Sequence, residues 1–317
     1  MRQQVTVYRR RRATALAALA GALVLAVLAL RSCGGEAEPT ASTPAAGADS
    51  DAASQVAELP RGGRRIFPDF RVVAFYGAPQ DEQLGALGIG TPAAAAKRLE
   101  RVARGYAKKT RPVLPALELI ATIATAAPGD DGLYRMHQSD AVIGEYLRAA
   151  RAAKALLLLD IQPGRGDFLG EVRRLERWLR EPDVGIALDP EWHVGPAEVP
   201  GKVIGSVTAE EVNVAAEYVS RFVVDHSLPE KLFVVHQFTS AMIENKERVV
   251  KQSGLAVTMN VDGFGDRPNK TSKYAQFTSE LTRFHDGFKL FYEEDTNLMS
   301  PAAVLQLRPP PDLVVYE

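Results

Sequence analysis

Short runs of strand character alternate with amphipathic helical runs throughout residues 66–317, and this alternation limits the fold more than any other feature of the sequence. Parallel strands joined by helices produce such a pattern, because a crossover between parallel strands needs a helix or a similarly long connection. Eight strand–helix units in roughly 250 residues is the usual size of a (β/α)8 barrel. We therefore predict an α/β fold, specifically a TIM-type (β/α)8 barrel. The predicted strands are 71–76, a stretch within 112–120, 155–161, 184–188, 232–236, 255–261, 288–292 and 313–316.

The predicted helices begin at recognisable capping residues. Thr91 is followed by Pro92, which places a cap before a proline at the first helical position. Thr208 and Glu211 have the spacing of a capping box. An open doubly wound sheet would share the alternation, but no Gly-x-Gly-x-x-Gly loop follows the first strand, so the barrel is favoured. The predicted helices are 91–108, 139–154 and 167–180, with further helices beginning at 208, 239, 272 and 300.

The N-terminal segment, residues 1–33, has the pattern of an export signal or a membrane anchor. Arginines at positions 9–12 are followed by residues 13–30, which carry no charge. The segment resembles a bacterial lipoprotein signal, in which Cys33 becomes the lipidated first residue and Leu30 and Ser32 match the positions before it. An uncleaved signal anchor is the alternative, because such a helix spans about 27 Å, enough for a bilayer. Both interpretations keep the arginines cytoplasmic and anchor an extracytoplasmic domain to the cell membrane.

Composition separates this anchor from the barrel and excludes some partners. Residues 34–65 are rich in Ala, Ser, Thr, Pro and Gly, so we predict a flexible linker before a barrel domain at 66–317. The formal net charge is −1, from 38 basic and 39 acidic residues, and this balance predicts no nucleic-acid partner.

Cys33 is the only cysteine, which excludes an intramolecular disulfide and a cysteine-based zinc site. The sequence does not indicate an oligomeric state.

The fourth predicted strand carries the clearest candidates for chemistry. Side chains alternate along a strand, so Gly185, Ala187, Asp189 and Glu191 share one face. If the strand stays extended through residue 190, both carboxylates point into the barrel, about 6.6 Å apart along the chain. Two nearby carboxylates can hold different protonation states, one acid and one anion. We therefore predict Asp189 and Glu191 as a catalytic pair at the carboxyl ends of the strands, where barrel active sites form.

Polar residues also occur at the ends of the other strands. In the sixth strand, Ala256, Thr258, Asn260 and Asp262 share one face opposite an apolar one, which indicates that the polar face lines a site. Polar groups that recur at one end of the strands are stronger evidence than any single residue. The predicted substrate-binding residues are Tyr76, Glu118, Asp160, Trp192, His236, Asp262, Tyr292 and Glu293.

The fourth strand resembles the corresponding strand of chitinase-type glycoside hydrolases, which are (β/α)8 enzymes with the motif Asp-Gly-apolar-Asp-apolar-Asp-x-Glu, often followed by an aromatic residue. The resemblance implies that Glu191 protonates the glycosidic oxygen. It also implies that Asp189 orients the N-acetyl group of the substrate, which acts as the internal nucleophile. Val184 and Ala187 stand where the family has its first two aspartates. The matching residues are Gly185, Ile186, Leu188, Asp189, Glu191 and Trp192.

The sequence leaves three functions open. The first is a glycoside hydrolase that acts on a cell-wall or extracellular polysaccharide and needs no cofactor. The second is a metal-dependent barrel enzyme, with Mg²⁺ or Mn²⁺ held by a set drawn from Asp160, His236, Asp262 and either Asp189 or Glu191. The third is a catalytically silent barrel that binds a glycan or a protein partner, which the alanine at position 187 favours. A serine elbow, a phosphate loop and a His-Glu-x-x-His helix are absent from the sequence, which excludes enzymes of those kinds.

Overall fold

The computed structural model describes residues 57–279 and 283–317. The predicted membrane segment 1–33, including Cys33, and most of the predicted linker lie outside these residues. Within the described ranges, no helix combines the length and the apolar character needed to cross a membrane.

Eight parallel strands close into a barrel, which confirms the predicted architecture. Each strand pairs in parallel with the next along the chain, and the eighth pairs with the first, so the sheet closes on itself. A short antiparallel strand, Arg135–His137, pairs with the carboxyl end of the second strand. The barrel strands are β1 (Arg71–Gly77), β2 (Val113–Ala124), β3 (Leu156–Ile161), β4 (Val184–Leu188), β5 (Lys231–Gln237), β6 (Leu255–Val261), β7 (His285–Leu290) and β8 (Leu313–Tyr316).

The helices around the barrel begin largely where their caps predict. The Thr91 side chain accepts a hydrogen bond from the Ala94 amide at 3.2 Å. Thr208 and Glu211 form the predicted capping box. The α-helices in the described ranges are α1 (Pro92–Ala103), α2 (Asp140–Ala152), α3 (Phe168–Arg174), α4 (Glu176–Leu179), α5 (Ala209–Asp225), α6 (Arg267–Ser279) and α7 (Pro301–Val304).

The predicted helix from Thr239 is wrong. Residues 240–248 form two short 3-10 turns instead, separated by Ile243–Glu244, which pairs with Val207–Thr208 as a two-residue strand. Asn245 then adopts a left-handed conformation with φ of 54°, which a helix cannot continue through. The backbone N–H and C=O groups of Ile243–Glu244 therefore take part in a small second sheet instead of helical hydrogen bonds.

Two other boundaries differ from the prediction. Helix α6 begins at Arg267 rather than at 272, because the Asp266 carboxylate accepts the Asn269 amide hydrogen bond and starts the helix earlier. Strand β7 covers 285–290 rather than 288–292, and the chain turns after Phe291, whose amide donates to the Asp295 carboxylate. Tyr292 therefore lies beyond the strand.

Apolar side chains form two layers, one inside the barrel and one between the barrel and its helices. The alternation predicted for β6 is confirmed, because Val257 and Met259 pack in the outer layer while Ala256 faces the interior. Interior apolar residues lie towards the amino ends of the strands and fill the barrel there. They include Val72, Ala74, Leu114, Ala116, Leu156, Leu158, Ala187, Leu232, Val234, Ala256, Leu313 and Val315.

The amino end of the barrel is covered by residues 57–70. Leu59 is buried in the interior cluster. The Glu230 amide donates to the Arg64 carbonyl at 2.8 Å, and the Glu230 carboxylate accepts from the amides of Ile66 and Phe67. Residues 57–65, which we predicted as the end of the linker, thus contact the barrel directly. Among the residues that the structure describes, an interior polar layer lies at the opposite end of the barrel, at the carboxyl ends of the strands.

Candidate functional site

Polar and charged side chains replace apolar ones where the strands reach their carboxyl ends. The change follows strand alternation: β2 places Leu114 and Ala116 inside the barrel and then Glu118, and β3 places Leu158 inside and then Asp160. Each of these side chains is buried. The buried polar residues of this layer are Tyr76, Glu118, Asp160, Gln162, Asp189, Glu191, His236, Asn260, Asp262 and Lys289.

The end of β4 differs from the extended path that we predicted. The strand stops at Leu188, and Pro190–Trp192 forms a 3-10 turn held by a hydrogen bond from the Gly205 amide to the Glu191 carbonyl. Proline fixes its own φ near −65°, which suits a turn better than a continued strand. Asp189 and Glu191 are both buried. They do not lie on one continuous strand, so the predicted spacing of 6.6 Å does not apply to them.

His236 is fully buried at the centre of this layer, with carboxylates on both sides of its ring. Its Nε2 atom lies 3.0 Å from Glu118 Oε1 and 3.6 Å from Asp160 Oδ1. Its Nδ1 atom lies 2.9 Å from Asp262 Oδ2. Both ring nitrogens can therefore donate to carboxylate oxygens, which suits a protonated imidazole in the absence of a metal. A histidine binds a metal only in its neutral form, so a cation bound at Nε2 would replace the proton there. Burial disfavours that cation, but the Asp262 and Glu118 carboxylates outweigh it and raise the pKa of His236 well above its ordinary value.

Glu118, Asp160 and His236 form a cluster with the geometry of a metal site. One ligand atom from each residue lies within 4.8 Å of the others, and all three side chains are fully buried. Glu118 Oε2 and Asp160 Oδ1 are buried carboxylate oxygens that accept no hydrogen bond from any described residue. Leaving such an oxygen without a donor or a cation costs about 1–3 kcal/mol or more. The cluster therefore has three metal-ligating atoms, and a bound cation would neutralise its buried carboxylate oxygens.

The groups behind His236 fix the orientation of its ring. Asn260 Nδ2 donates to Asp262 Oδ1 at 2.6 Å and lies 3.3 Å from His236 Nδ1. The opposite oxygen of Asp262 contacts the ring, so Asp262 links the amide and the imidazole. A carboxylate that holds the far nitrogen of a histidine is the usual support of a metal-binding imidazole, because it fixes the tautomer and the ring plane.

Lys289 places a permanent positive charge beside these carboxylates. Its side chain is 1% exposed, with Nζ 2.7 Å from Glu317 Oε2 and 3.5 Å from Asp262 Oδ2. Burial disfavours its charge, but the surrounding carboxylates, Asp262 first, raise the pKa of Lys289 above its ordinary value. The Nζ atom also lies 3.7 Å from the centre of the Tyr76 ring, a cation–π contact.

Tyr76 connects the carboxylates on the other side of the layer. Its hydroxyl lies 3.2 Å from Asp160 Oδ2 and 3.5 Å from Asp189 Oδ2, and it accepts a hydrogen bond from Gln162 Nε2 at 3.0 Å. Burial, followed by the charges of Asp160 and Asp189, raises the pKa of Tyr76 well above its usual value. The hydroxyl is therefore a hydrogen-bond donor throughout the physiological range of pH.

Two of the buried acids favour their neutral forms. Burial, and then repulsion from Asp189, raises the pKa of Asp160 well above its ordinary value. Burial, and then repulsion from Asp262, does the same for Glu191. A crowded group of acids in a low-dielectric site disfavours further negative charge. A bound divalent cation would lower this cost for the carboxylates that contact it.

Three predicted site residues lie away from the buried cluster. Trp192 is 7% exposed and packs against Ala124, so its ring is not an open platform for stacking. Tyr292 is 43% exposed and stacks on Tyr316, with ring centres 5.3 Å apart, on the outer side of the barrel. Glu293 is an exposed residue of the turn that follows β7. The remaining predicted residues converge in the polar layer.

Three buried residues of the layer were absent from the predicted site, namely Gln162, Asn260 and Lys289. Lys289 lies within the predicted seventh strand, 288–292, but the candidate residues were taken from the end of that strand, at Tyr292 and Glu293. Its signal was present in the sequence, since a lysine between Phe288 and Leu290 occupies the face opposite the apolar one. Asn260 was recognised only as part of the polar face of β6, and its contacts with Asp262 and His236 depend on how neighbouring strands are aligned.

No protein-family model matches this chain, and no curated protein matches it. Among solved structures, it is similar to D-allulose 3-epimerase from Methylomonas sp., with 12% identity and a TM-score of 0.36, over 78% of this chain and 84% of that one. It is also similar to 5-methylcytosine deaminase from Klebsiella pneumoniae liganded with phosphonocytosine, with 11% identity and a TM-score of 0.34, over 72% of this chain and 53% of that one. At such low similarity, the fold is established by the strand pairing of this chain and the chemistry by its own side chains.

Proposed function

We propose that this protein is a metal-dependent barrel enzyme that holds a divalent cation through Glu118, Asp160 and His236. The observation that carries the proposal is the convergence of three buried ligand atoms, from three different strands, within 4.8 Å of one another. Two buried carboxylate oxygens of the same cluster accept no hydrogen bond within the described residues, and a cation would satisfy both.

The donor set indicates which cation fits. Carboxylate oxygens suit Mg²⁺ and Mn²⁺, whereas an imidazole nitrogen favours transition metals, so two carboxylates with one imidazole fit Mn²⁺ best. Three protein ligands leave further coordination positions for water and substrate. When bound, such a cation polarises a substrate oxygen or lowers the pKa of a bound water.

The other residues of the layer supply proton transfer and charge. Glu191 is a buried acid with a raised pKa, so it can donate a proton to a leaving or developing oxyanion. Lys289 keeps its charge and would stabilise negative charge that develops on a substrate nearby. Asp262 holds the His236 ring in place. This arrangement supports metal-assisted acid–base chemistry on a polar substrate that carries hydroxyl or carbonyl groups.

The test is a calorimetric titration with Mn²⁺. Residues 57–317 are first treated with a chelator to remove any bound metal, and the chelator is removed before Mn²⁺ is added. We expect one Mn²⁺ per chain and an affinity loss of more than tenfold in Glu118→Gln, because this change keeps the shape of the side chain and removes its charge. Glu293→Gln is the matched control, because it removes an exposed carboxylate at the same end of the barrel. Absence of Mn²⁺ binding, or an equal loss in both variants, would refute the proposal.

A glycoside hydrolase is the second candidate, and Glu191 is the observation that favours it. A buried carboxylic acid with a raised pKa is what protonation of a glycosidic oxygen requires. Release of reducing sugar from a panel of soluble glycans and purified cell wall separates the two candidates. Turnover that disappears in Glu191→Gln but survives a chelator would support the glycosidase. Turnover that a chelator abolishes would support the metal enzyme, and glycan retention without turnover would support a silent binding barrel.

A further inference from the structure

The covered amino end of the barrel is also the end from which the predicted tether leaves. Arg61 Nε donates to the Lys154 carbonyl at 3.1 Å, and Arg64 Nη2 donates to the Ser227 and Leu228 carbonyls at 2.9 Å. These contacts fix the start of the described chain at the loops that precede β3 and β5. The candidate metal site lies at the opposite end of the barrel.

Exposed cations are concentrated in the loops of this amino end. The loop before β2 contributes three of them within a few residues, and the loops before β3, β6 and β8 contribute one each. None of the six forms an ion pair with a described carboxylate. The six residues, which we call the basic face, are Arg104, Lys108, Lys109, Lys154, Lys251 and Arg308.

Several acidic residues at the same end pair with other cations, and the exposed acids Glu58 and Asp225 are outnumbered by the six residues of the basic face. Asp312 pairs with Arg111 at 2.6 Å and with His285 at 2.8 Å. Asp183 pairs with Arg151 at 2.8 Å. The Glu230 carboxylate is held by backbone amides. Exposed cations therefore outnumber exposed unpaired carboxylates at this end.

The opposite end carries charge of the other sign. Its loops expose acidic side chains, and the candidate metal site adds the buried carboxylates described above. Exposed charge is thus separated along the barrel axis within the described residues. The exposed acids of these loops are Glu82, Asp130, Asp131, Glu198, Asp266 and Glu293.

We propose that the basic face docks on a bilayer surface that carries anionic lipids, so that the barrel stands on the membrane with its candidate metal site facing away. The proposal rests on the predicted export and anchoring of the chain, not on the metal. A polybasic surface beside a membrane anchor is attracted to anionic headgroups, and each added lysine strengthens the attraction. The tether holds the basic face close to the bilayer and so adds to an attraction that the six cations supply by themselves.

The experiment measures binding of residues 57–317 to vesicles. This segment contains the closed barrel and all members of its two apolar clusters, so it carries a complete core. Vesicles of phosphatidylcholine with phosphatidylglycerol are compared with vesicles of phosphatidylcholine alone, by co-sedimentation at low and high salt. We expect binding to the anionic vesicles only, weakened by salt because the charges are exposed.

Substitutions identify the face that binds. We expect Lys108→Ala with Lys109→Ala to lower the partition coefficient roughly 25-fold, about fivefold for each lysine. Lys202→Ala is the matched control, because Lys202 is exposed in a loop at the acidic end, and we expect no change. Circular dichroism of each variant verifies that it is folded. Equal binding to neutral vesicles, no binding to anionic ones, or an equal loss in the control would overturn the proposal, whatever the outcome for Mn²⁺.

Discussion

The contacts of Glu171 predict how much the free energy of unfolding changes with pH. This carboxylate on α3 is 3% exposed and accepts from Arg135 Nε at 2.6 Å, from Thr122 Oγ1 at 2.9 Å and from His137 Nε2 at 2.9 Å. Burial opposes its charge, but these partners outweigh burial and lower the pKa of Glu171 to about 2. It therefore joins the end of β2 to the strand Arg135–His137 through an ionised side chain.

The pH dependence follows from the direction of this pKa. The carboxylate has a lower pKa in the folded chain than in the unfolded one, so it stabilises the fold fully above the ordinary pKa of 4.5. That contribution is lost as pH falls towards 2. A pKa of about 2 against 4.5 corresponds to about 3 kcal/mol, of which about 2 kcal/mol is lost between about pH 5.5 and about pH 3.

The measurement is urea unfolding of residues 57–317, wild type and Glu171→Gln, at both values of pH. We expect the variant to be less stable by about 3 kcal/mol at the higher pH and by about 1 kcal/mol at the lower one. Glu145→Gln serves as the control, because Glu145 is exposed on α2. A difference between wild type and Glu171→Gln that does not change with pH would refute the assignment of this stability to the ionised carboxylate.

Three further predictions concern the site and its scaffold. Mn²⁺ at a hundred times its Kd should stabilise the wild-type chain by about 2.7 kcal/mol in thermal melts, and Asp160→Asn should lose most of this gain. Gly287→Ala should lower the free energy of unfolding by about 1–3 kcal/mol and weaken Mn²⁺ binding, because the new methyl group would lie 2.4 Å from Asn260 Oδ1; an unchanged melting temperature would contradict this. Thr208→Ala should cost about 1 kcal/mol in urea unfolding through loss of the capping box with Glu211, without any effect on Mn²⁺ affinity.

Alternation along the strands made the position of most site residues predictable. The alternation of side chains along the strands predicted an inward face for Asp160, Asp189 and Asp262, which are buried at or just beyond the ends of their strands. Glu118 is also buried, but it lies within β2, which continues to Ala124. The polar face of β6 was predicted for the same reason, because a buried strand has two faces and its sequence shows them. The capping box of α5 was also predictable from the sequence, because it depends on two residues that are three positions apart.

Features that depend on contacts between distant segments were not predictable in the same way. The helix expected from Thr239 is replaced by a pairing of Ile243–Glu244 with Val207–Thr208, which no local pattern records. The strand β4 ends at Leu188, so both Asp189 and Glu191 lie beyond it, and Pro190 begins a 3-10 turn that contains Glu191.

The sequence by itself determined the barrel, its strand faces and the band of polar residues at one end, because periodicity and caps are local properties of the chain. Only the tertiary structure decided which of these residues touch. Closure of the sheet brings Glu118 of β2 within 3.0 Å of His236 on β5, two residues separated by more than a hundred positions in the chain. The meeting of Glu118, Asp160 and His236 is the basis of our proposal of a metal-dependent enzyme, and sequence spacing could not predict it because barrel geometry sets the distance between side chains on different strands.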